Sequence, residues 1–192
     1  MGITRAEVLR RAATIWTPGT VPYSMTTVHQ PDGYRQDCSG YVSACWAILA
    51  PGGSTVTMAP PDPRAVMHAI GAGELLPGDA IGKCGPGTGG AAGHIQLFEG
   101  WDPDGTGLWI WEQAGGTVGQ LRRKVKTVSQ GSGFTAWRFD DIEDGDMSEQ
   151  SEAELSALTL MLDKIPYGPT QGQDAWEVQA IKAVQRDVAE IK

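Results

Sequence analysis

Leu75-Leu76-Pro77-Gly78-Asp79-Ala80-Ile81-Gly82 is the stretch at which the chain changes its period. Before it, apolar residues recur at helical spacing; after it, they come in short runs separated by turn residues. Upstream, Val8, Leu9, Ala12, Ile15 and Trp16 follow the S/T-x-x-E start Thr4-Arg5-Ala6-Glu7. This predicts a helix over 5–16, stopped by Pro18 and Gly19. Residues 38–49 read as a second helix, with Tyr41, Val42, Cys45, Trp46 and Leu49 as its apolar stripe and Pro51-Gly52-Gly53 as its stop. Residues 63–70, from Pro63 to Ile70, predict a short third helix, because proline fits a first turn. Downstream, strands are expected at 79–82, 94–101, 108–113, 122–128 and 134–139, with Asp102-Pro103-Asp104-Gly105 as a hairpin turn. Helices followed by an antiparallel meander make the fold class α+β.

The chain has 192 residues, enough for one domain with a short extension and for a core that needs no disulfide. Hydrophobic residues make up 41% and charged residues 20%, which excludes a disordered or membrane-embedded chain. No apolar run reaches the length of a spanning helix, so no membrane segment is expected. The start MGITRAEVLRRAAT has no apolar h-region and no cleavage site, so no secretory signal is expected either. A net charge of −8 argues against nucleic acid as a partner, since that partner calls for a basic face. The acidity is uneven: residues 1–141 hold 11 basic and 12 acidic side chains, whereas residues 142–192 hold 4 and 11. The expected division is therefore a body over 1–141 and an acidic linker with a helical tail over 142–192. Within the tail, Ile181, Val184, Val188 and Ile191 have coiled-coil spacing, which points to self-association through the C-terminal helix.

Three cysteines, Cys38, Cys45 and Cys84, match no zinc spacing, and no metal is expected. The Gly-rich loop over 82–93 lacks the Gly-Lys-Ser/Thr ending of a phosphate loop, so nucleotide binding is rejected. Cys38 opens a helix, follows Asp37 and precedes the small residues Ser39 and Gly40. Free backbone N–H groups at such a position favour a thiolate. The competing reading is a buried cysteine in a helix start. Cys45, two turns further down the same helix face, reads as core, and Cys84 as an exposed bystander thiol. A thiolate nucleophile needs a base. Of the three histidines, His94 opens an apolar strand beside the glycine loop, while His29 and His68 read as solvated. The next strand offers Glu112 and Gln113 as partners for the second imidazole nitrogen, and alternation lets only one of them face the same side. Either fits at this stage.

Asp37-Cys38-Ser39-Gly40-Tyr41-Val42, then Leu76-Pro77-Gly78-Asp79, then Gly93-His94-Ile95, then a strand ending in a polar residue, resembles the NlpC/p60 peptidoglycan cysteine peptidases and their CHAP relatives in the papain-like group. The resemblance covers roughly residues 5–141. It implies a papain-like fold, with N-terminal helices packed on an antiparallel sheet and, in this chain, a helical tail added. It implies Cys38 as nucleophile, His94 as base and Glu112 as third catalytic residue, where the commonest NlpC/p60 form has His. Tyr23, after Pro22, would line the site. Asp37 and Ser39 match positions that bind the amine end of a stem peptide, and Gln113 is carried as a substrate contact. The Trp-Gly-Gly that usually follows Pro-Tyr is replaced by Ser24-Met25-Thr26.

The implied function is a cell-wall hydrolase that cuts an amide in peptidoglycan, with no cofactor. The overall look is similar to lysins of actinobacterial phages. Such an enzyme is held in the host cytoplasm until a holin releases it, or is carried in the virion. The alternatives are an N-acetylmuramoyl-L-alanine amidase or transferase on the same scaffold, and a non-enzymatic virion protein whose cysteine is only buried.

Overall fold

A computed structural model of the chain describes residues 2–17, 20–102, 107–115, 120–125 and 133–143. Among the described residues the fold is α+β: two α-helices and an antiparallel sheet, with a small parallel pair of strands. Strand β1 (Ile3–Thr4) leads directly into helix α1 (Arg5–Thr14). The Thr4 hydroxyl caps that helix by accepting the Glu7 N–H at 3.2 Å, and the Glu7 carboxylate pairs with Arg10 at 2.6 Å. Helix α2 (Cys38–Cys45) is buried along its whole length. It is four residues shorter than the periodicity predicts. Trp46 ends it and Ala47 takes a left-handed φ of 57°, so Leu49 leaves the apolar stripe and stands 88% exposed.

The main sheet contains β2 (Met67–Ile70), β3 (Ala80–Lys83), β4 (His94–Trp101), β5 (Leu108–Gln113), β6 (Gln120–Val125) and β7 (Thr135–Phe139). Their order is β2-β7-β3-β4-β5-β6. The expected meander holds from β3 to β6, but β7 returns to lie between β2 and β3. Residues 63–70 correct the expectation of a short helix. Asp62 accepts the Arg64 N–H at 2.9 Å and sets a turn, after which Met67–Ile70 forms an edge strand on β7. The partner strand lies at the far end of the body, and local periodicity carries no trace of it.

Alternation along the strands divides two cores. Ile95, Leu97, Trp111, Trp137 and Phe139 pack with Val8, Ala12, Tyr41, Val42, Cys45 and Trp46 from the helices. Ile81, Phe98, Leu108, Ile110 and Ala136 form a second cluster with Leu75. Each large apolar side chain buried this way contributes about 1.5–3 kcal/mol. Trp46 stacks on Phe139 with ring centroids 5.2 Å apart and donates its indole N–H to the Gly78 carbonyl at 2.9 Å, which fixes α2 on the sheet.

Strand β8 (Ile142–Glu143) pairs in parallel with β1, so the body runs through Glu143; the chain separates into Met1–Gly145 and Asp146–Lys192. The helix stop at Pro18-Gly19, the turn at 103–105, the end of the strand expected at 122–128 and the tail over 144–192 lie outside the described residues.

Candidate active site

Cys38 is the first residue of α2, and its position is built by what precedes it. The Asp37 carboxylate caps the helix by accepting the Gly40 N–H at 2.6 Å and the Ser39 hydroxyl at 3.1 Å. Gly40 has no room for a side chain, because a Cβ there would run into the Arg35 carbonyl. The backbone of Arg35 lies against the first turn of α2, and Val28 bridges Arg35 across the preceding loop. The Arg35 guanidinium then folds onto the cap. It donates Nε–H to Asp37 at 3.1 Å and an Nη2 hydrogen to Ser39 at 2.8 Å, while the Gly52 and Gly53 carbonyls accept at 3.2 and 2.6 Å. Asp37 and Ser39, both expected to hold substrate, are thus bonded to Arg35 and to the helix start.

The loop over 20–37 is anchored by Asp32, which accepts the Trp16 indole N–H at 2.7 Å and is bonded to His29 Nδ1 at 2.9 Å. His29 is therefore a half-buried, hydrogen-bonded side chain and not the solvated one expected. His68, paired with Asp140 at 2.7 Å, is exposed. This loop delivers Tyr23. Its hydroxyl is pushed up to about 12 by burial first, then by the charges of Cys38 and Asp37 and a hydrogen bond with the Cys38 side chain, with the Cys38 N–H opposing. Tyr23 and Cys38 are thus brought together.

His94, expected from the sequence to be the base, begins β4. Its Nε2 is bonded to Glu112 Oε2 at 2.6 Å, and the same oxygen accepts Gln96 Nε2–H at 2.8 Å. Glu112 is 2% exposed and the ring about a quarter exposed. Burial pushes the imidazole down. Hydrogen bonding and charge interactions with Cys38 and Glu112 outweigh it and raise His94 from 6.5 to about 9. With Nε2 held by Glu112, Nδ1 is the nitrogen left for Cys38. The ring is therefore held by the carboxylate at Nε2, and its charged form is favoured by Cys38 as well as by Glu112.

Glu112 and Gln113 were equivalent in sequence, and strand alternation separates them. Gln113 is fully buried, and its amide N–H groups donate to the Val21 carbonyl at 3.0 Å and the Gln36 carbonyl at 3.5 Å. This corrects its reading as a substrate contact. It braces the segments that carry Tyr23 and Cys38.

Cys45 is fully buried, and burial pushes its thiol far up. Cys84 differs from its reading as an exposed bystander: it is half-buried against the helix-side core, and burial together with the charge of Cys38 raises it to about 12.

Two functional supports escaped sequence reasoning. Gln96 shares Glu112 with His94, and a polar residue two places after a strand-opening histidine was the available signal. Asp79 of the Pro-Gly-Asp motif is fully buried and accepts from Arg5 at 3.0 Å, from Arg138 at 3.0 and 2.8 Å, and from the Leu76 N–H at 2.8 Å. It is a structural hub that joins α1, β3 and β7. A cavity of about 260 Å³ lined by Gly2, Glu7, Arg11, Trp46 and Phe139 contains none of Tyr23, Cys38, His94 or Glu112.

Among the described residues, no three His, Cys, Asp or Glu side chains gather as a metal ion would need, and no helix is long and apolar enough to cross a membrane. Set against known proteins, the chain matches no family model, no curated protein and no solved structure.

Proposed function

We propose that the protein is a cysteine peptidase of the NlpC/p60 type that cuts an amide bond in peptidoglycan stem peptides or cross-links. The observation that carries this reading is the place of His94, between the Cys38 thiol and the buried Glu112 carboxylate. A buried structural cysteine has no use for a histidine that is raised to about 9 by its interactions with that cysteine and with a buried carboxylate.

The chemistry follows from that order. Cys38 gives its proton to His94, and the imidazolium is stabilised by Glu112. The thiolate attacks the amide carbonyl carbon, and the oxygen becomes an oxyanion. The Cys38 backbone N–H and the Tyr23 hydroxyl, which interacts with Cys38, are the donors we assign to it. His94 returns its proton to the leaving amine as the C–N bond breaks, which leaves a thioester on Cys38. Water then attacks the thioester while His94 takes its proton, and the carboxylic acid product and the free thiol separate. The biological setting we propose is that of a phage lysin, acting on the host wall after release from the cytoplasm or from the virion.

The test is digestion of purified actinobacterial peptidoglycan by the wild type and by Cys38→Ala, with mass spectrometry of the fragments. Cleavage by the wild type and none by a folded Cys38→Ala is expected. The newly formed amine and carboxyl ends identify the bond, and cleavage at the muramoyl–alanine amide would make the enzyme an amidase. Undiminished release by Cys38→Ala would end the proposal.

A further inference from the structure

The connection between β3 and β4 runs over 84–93 and carries five glycines, and His94 follows it directly. Gly85, Gly87 and Gly90 take left-handed φ values of 105°, 82° and 63°. A loop of this composition has much backbone entropy to lose on ordering. A histidine at its end keeps a fixed place only if the loop is tied down along its length.

The tie is Thr55, which is buried at 6% exposure. Its carbonyl accepts the Gly85 N–H at 2.8 Å, and its hydroxyl donates to the Thr88 carbonyl at 2.8 Å. Both bonds land on one turn, because the Thr88 hydroxyl donates to the Gly85 carbonyl at 2.7 Å. The far end of the loop closes on the same residue: a Cβ at Gly93 would run into the Thr88 carbonyl and the Thr55 side chain.

Thr55 is in turn fastened to the helix that begins with Cys38. It lies in a turn over 54–58, where the Ser54 carbonyl accepts the Met58 N–H at 3.0 Å and the Thr57 hydroxyl oxygen accepts the Ser54 N–H at 2.9 Å. Just before that turn, Ser43 of α2 accepts the Gly53 N–H at 3.1 Å. The Gly52 and Gly53 carbonyls accept from Arg35, which also holds the Asp37 cap of α2. The segment over 52–55 thus spans from α2 to the loop that ends at His94.

We propose that Thr55 is a positioning residue, which pins the loop over 84–93 to α2 and so sets the distance between the Cys38 sulfur and the His94 imidazole. This rests on the reading of His94 as the base for Cys38 and extends it to a residue that takes no part in the proton transfer. A misplacement of about 1 Å in such a pair costs on the order of 100-fold in rate.

The test compares the wild type with Thr55→Val, which keeps the shape and loses the hydroxyl, and with Thr55→Ser, which keeps the hydroxyl. The first arm needs no turnover: alkylation of Cys38 by iodoacetamide near neutral pH, read by peptide mapping. It is expected to be about tenfold slower in Thr55→Val, because a thiol out of reach of its base is less often the thiolate, and to return to the wild-type rate in Thr55→Ser. In the second arm, on peptidoglycan fragments, kcat of Thr55→Val falls about 10–100-fold with KM unchanged, and Thr55→Ser restores it. Cys45 that stays unlabelled marks a folded variant. Should Thr55→Val not fold, Gly93→Ala decides, since its methyl pushes the loop off Thr55 and is expected to slow alkylation in the same way. A folded Thr55→Val or Gly93→Ala that alkylates as fast as the wild type, or a Thr55→Ser as slow as Thr55→Val, overturns the proposal. Slow alkylation of Thr55→Val that Thr55→Ser rescues, with no peptidoglycan cut by the wild type, upholds Thr55 and overturns the peptidase reading instead.

Discussion

Glu112 Oε2 lies 2.6 Å from His94 Nε2, and Glu112 is almost wholly buried while the imidazole ring it holds reaches the surface. A carboxylate in that position is screened little by water and acts strongly on the one group it touches. The imidazolium form of the ring it orients is thereby favoured.

Replacing Glu112 by Gln keeps the shape and removes the charge. The His94 proton is then held less tightly, so the alkaline limb of the kcat/KM profile, set near 9 by His94, moves to lower pH. On the proposed peptidase reading, turnover on wall fragments falls by about 10–1,000-fold, the range expected for loss of an orienting partner of a catalytic base. A pH–rate profile of the variant checks both. An unmoved limb would assign the rise of His94 to Cys38 alone.

The same group makes stability depend on pH. The folded-state value of His94 is raised above its ordinary 6.5 to about 9, so the folded protein holds that proton more tightly than the unfolded chain does. Its contribution is complete below about 6.5 and is lost as the pH climbs through about 9. Thermal unfolding across that window is expected to show a fall in Tm for the wild type that is smaller in His94→Gln.

Gln113 is a test of bracing. Gln113→Leu removes the donor to the Val21 and Gln36 carbonyls and leaves them buried, at a cost of about 1–3 kcal/mol. Gln113→Glu puts a charge among those oxygens and costs more. Denaturant unfolding gives the ranking wild type, Gln113→Leu, Gln113→Glu. A Gln113→Glu variant as stable as the wild type would remove the bracing role.

The three thiols separate by alkylation near neutral pH. Cys38, in contact with His94, reacts first; Cys84, raised to about 12, reacts slowly; Cys45, buried in the helix core, reacts only on unfolding. Peptide mapping after timed labelling reads the order. Cys45→Ser costs about 1–3 kcal/mol by burying a hydroxyl, and leaves the labelling rate of Cys38 as it was.

Much of this arrangement could be read from the chain because it is local. The α1 cap, the thiol at the head of α2, and strands β3, β4 and β5 each follow from a few adjacent residues. The pair His94 and Glu112 was open to sequence reasoning because both sit on strands that are consecutive in the chain. What escaped depended on distant partners. Met67–Ile70 is a strand only because β7 returns to it, and the early stop of α2 is tied to Trp46 reaching Gly78. The choice between Glu112 and Gln113 turned on which side of the sheet faced the loop over 20–37. Arg35 gave no signal in the sequence, because a single arginine in a loop has no periodicity and no motif to mark it.

The pairing of β1 with β8 has a practical consequence. Ile3 N–H donates to the Asp141 carbonyl at 2.9 Å and Gly2 N–H to Glu143 at 2.9 Å, so the two ends of the body are fastened side by side. A short linker from residue 143 back to Gly2 would turn the body into a ring, free to be reopened at a surface turn such as the one near Leu49. The order of its segments along the chain would change while Cys38, His94 and Glu112 kept their places.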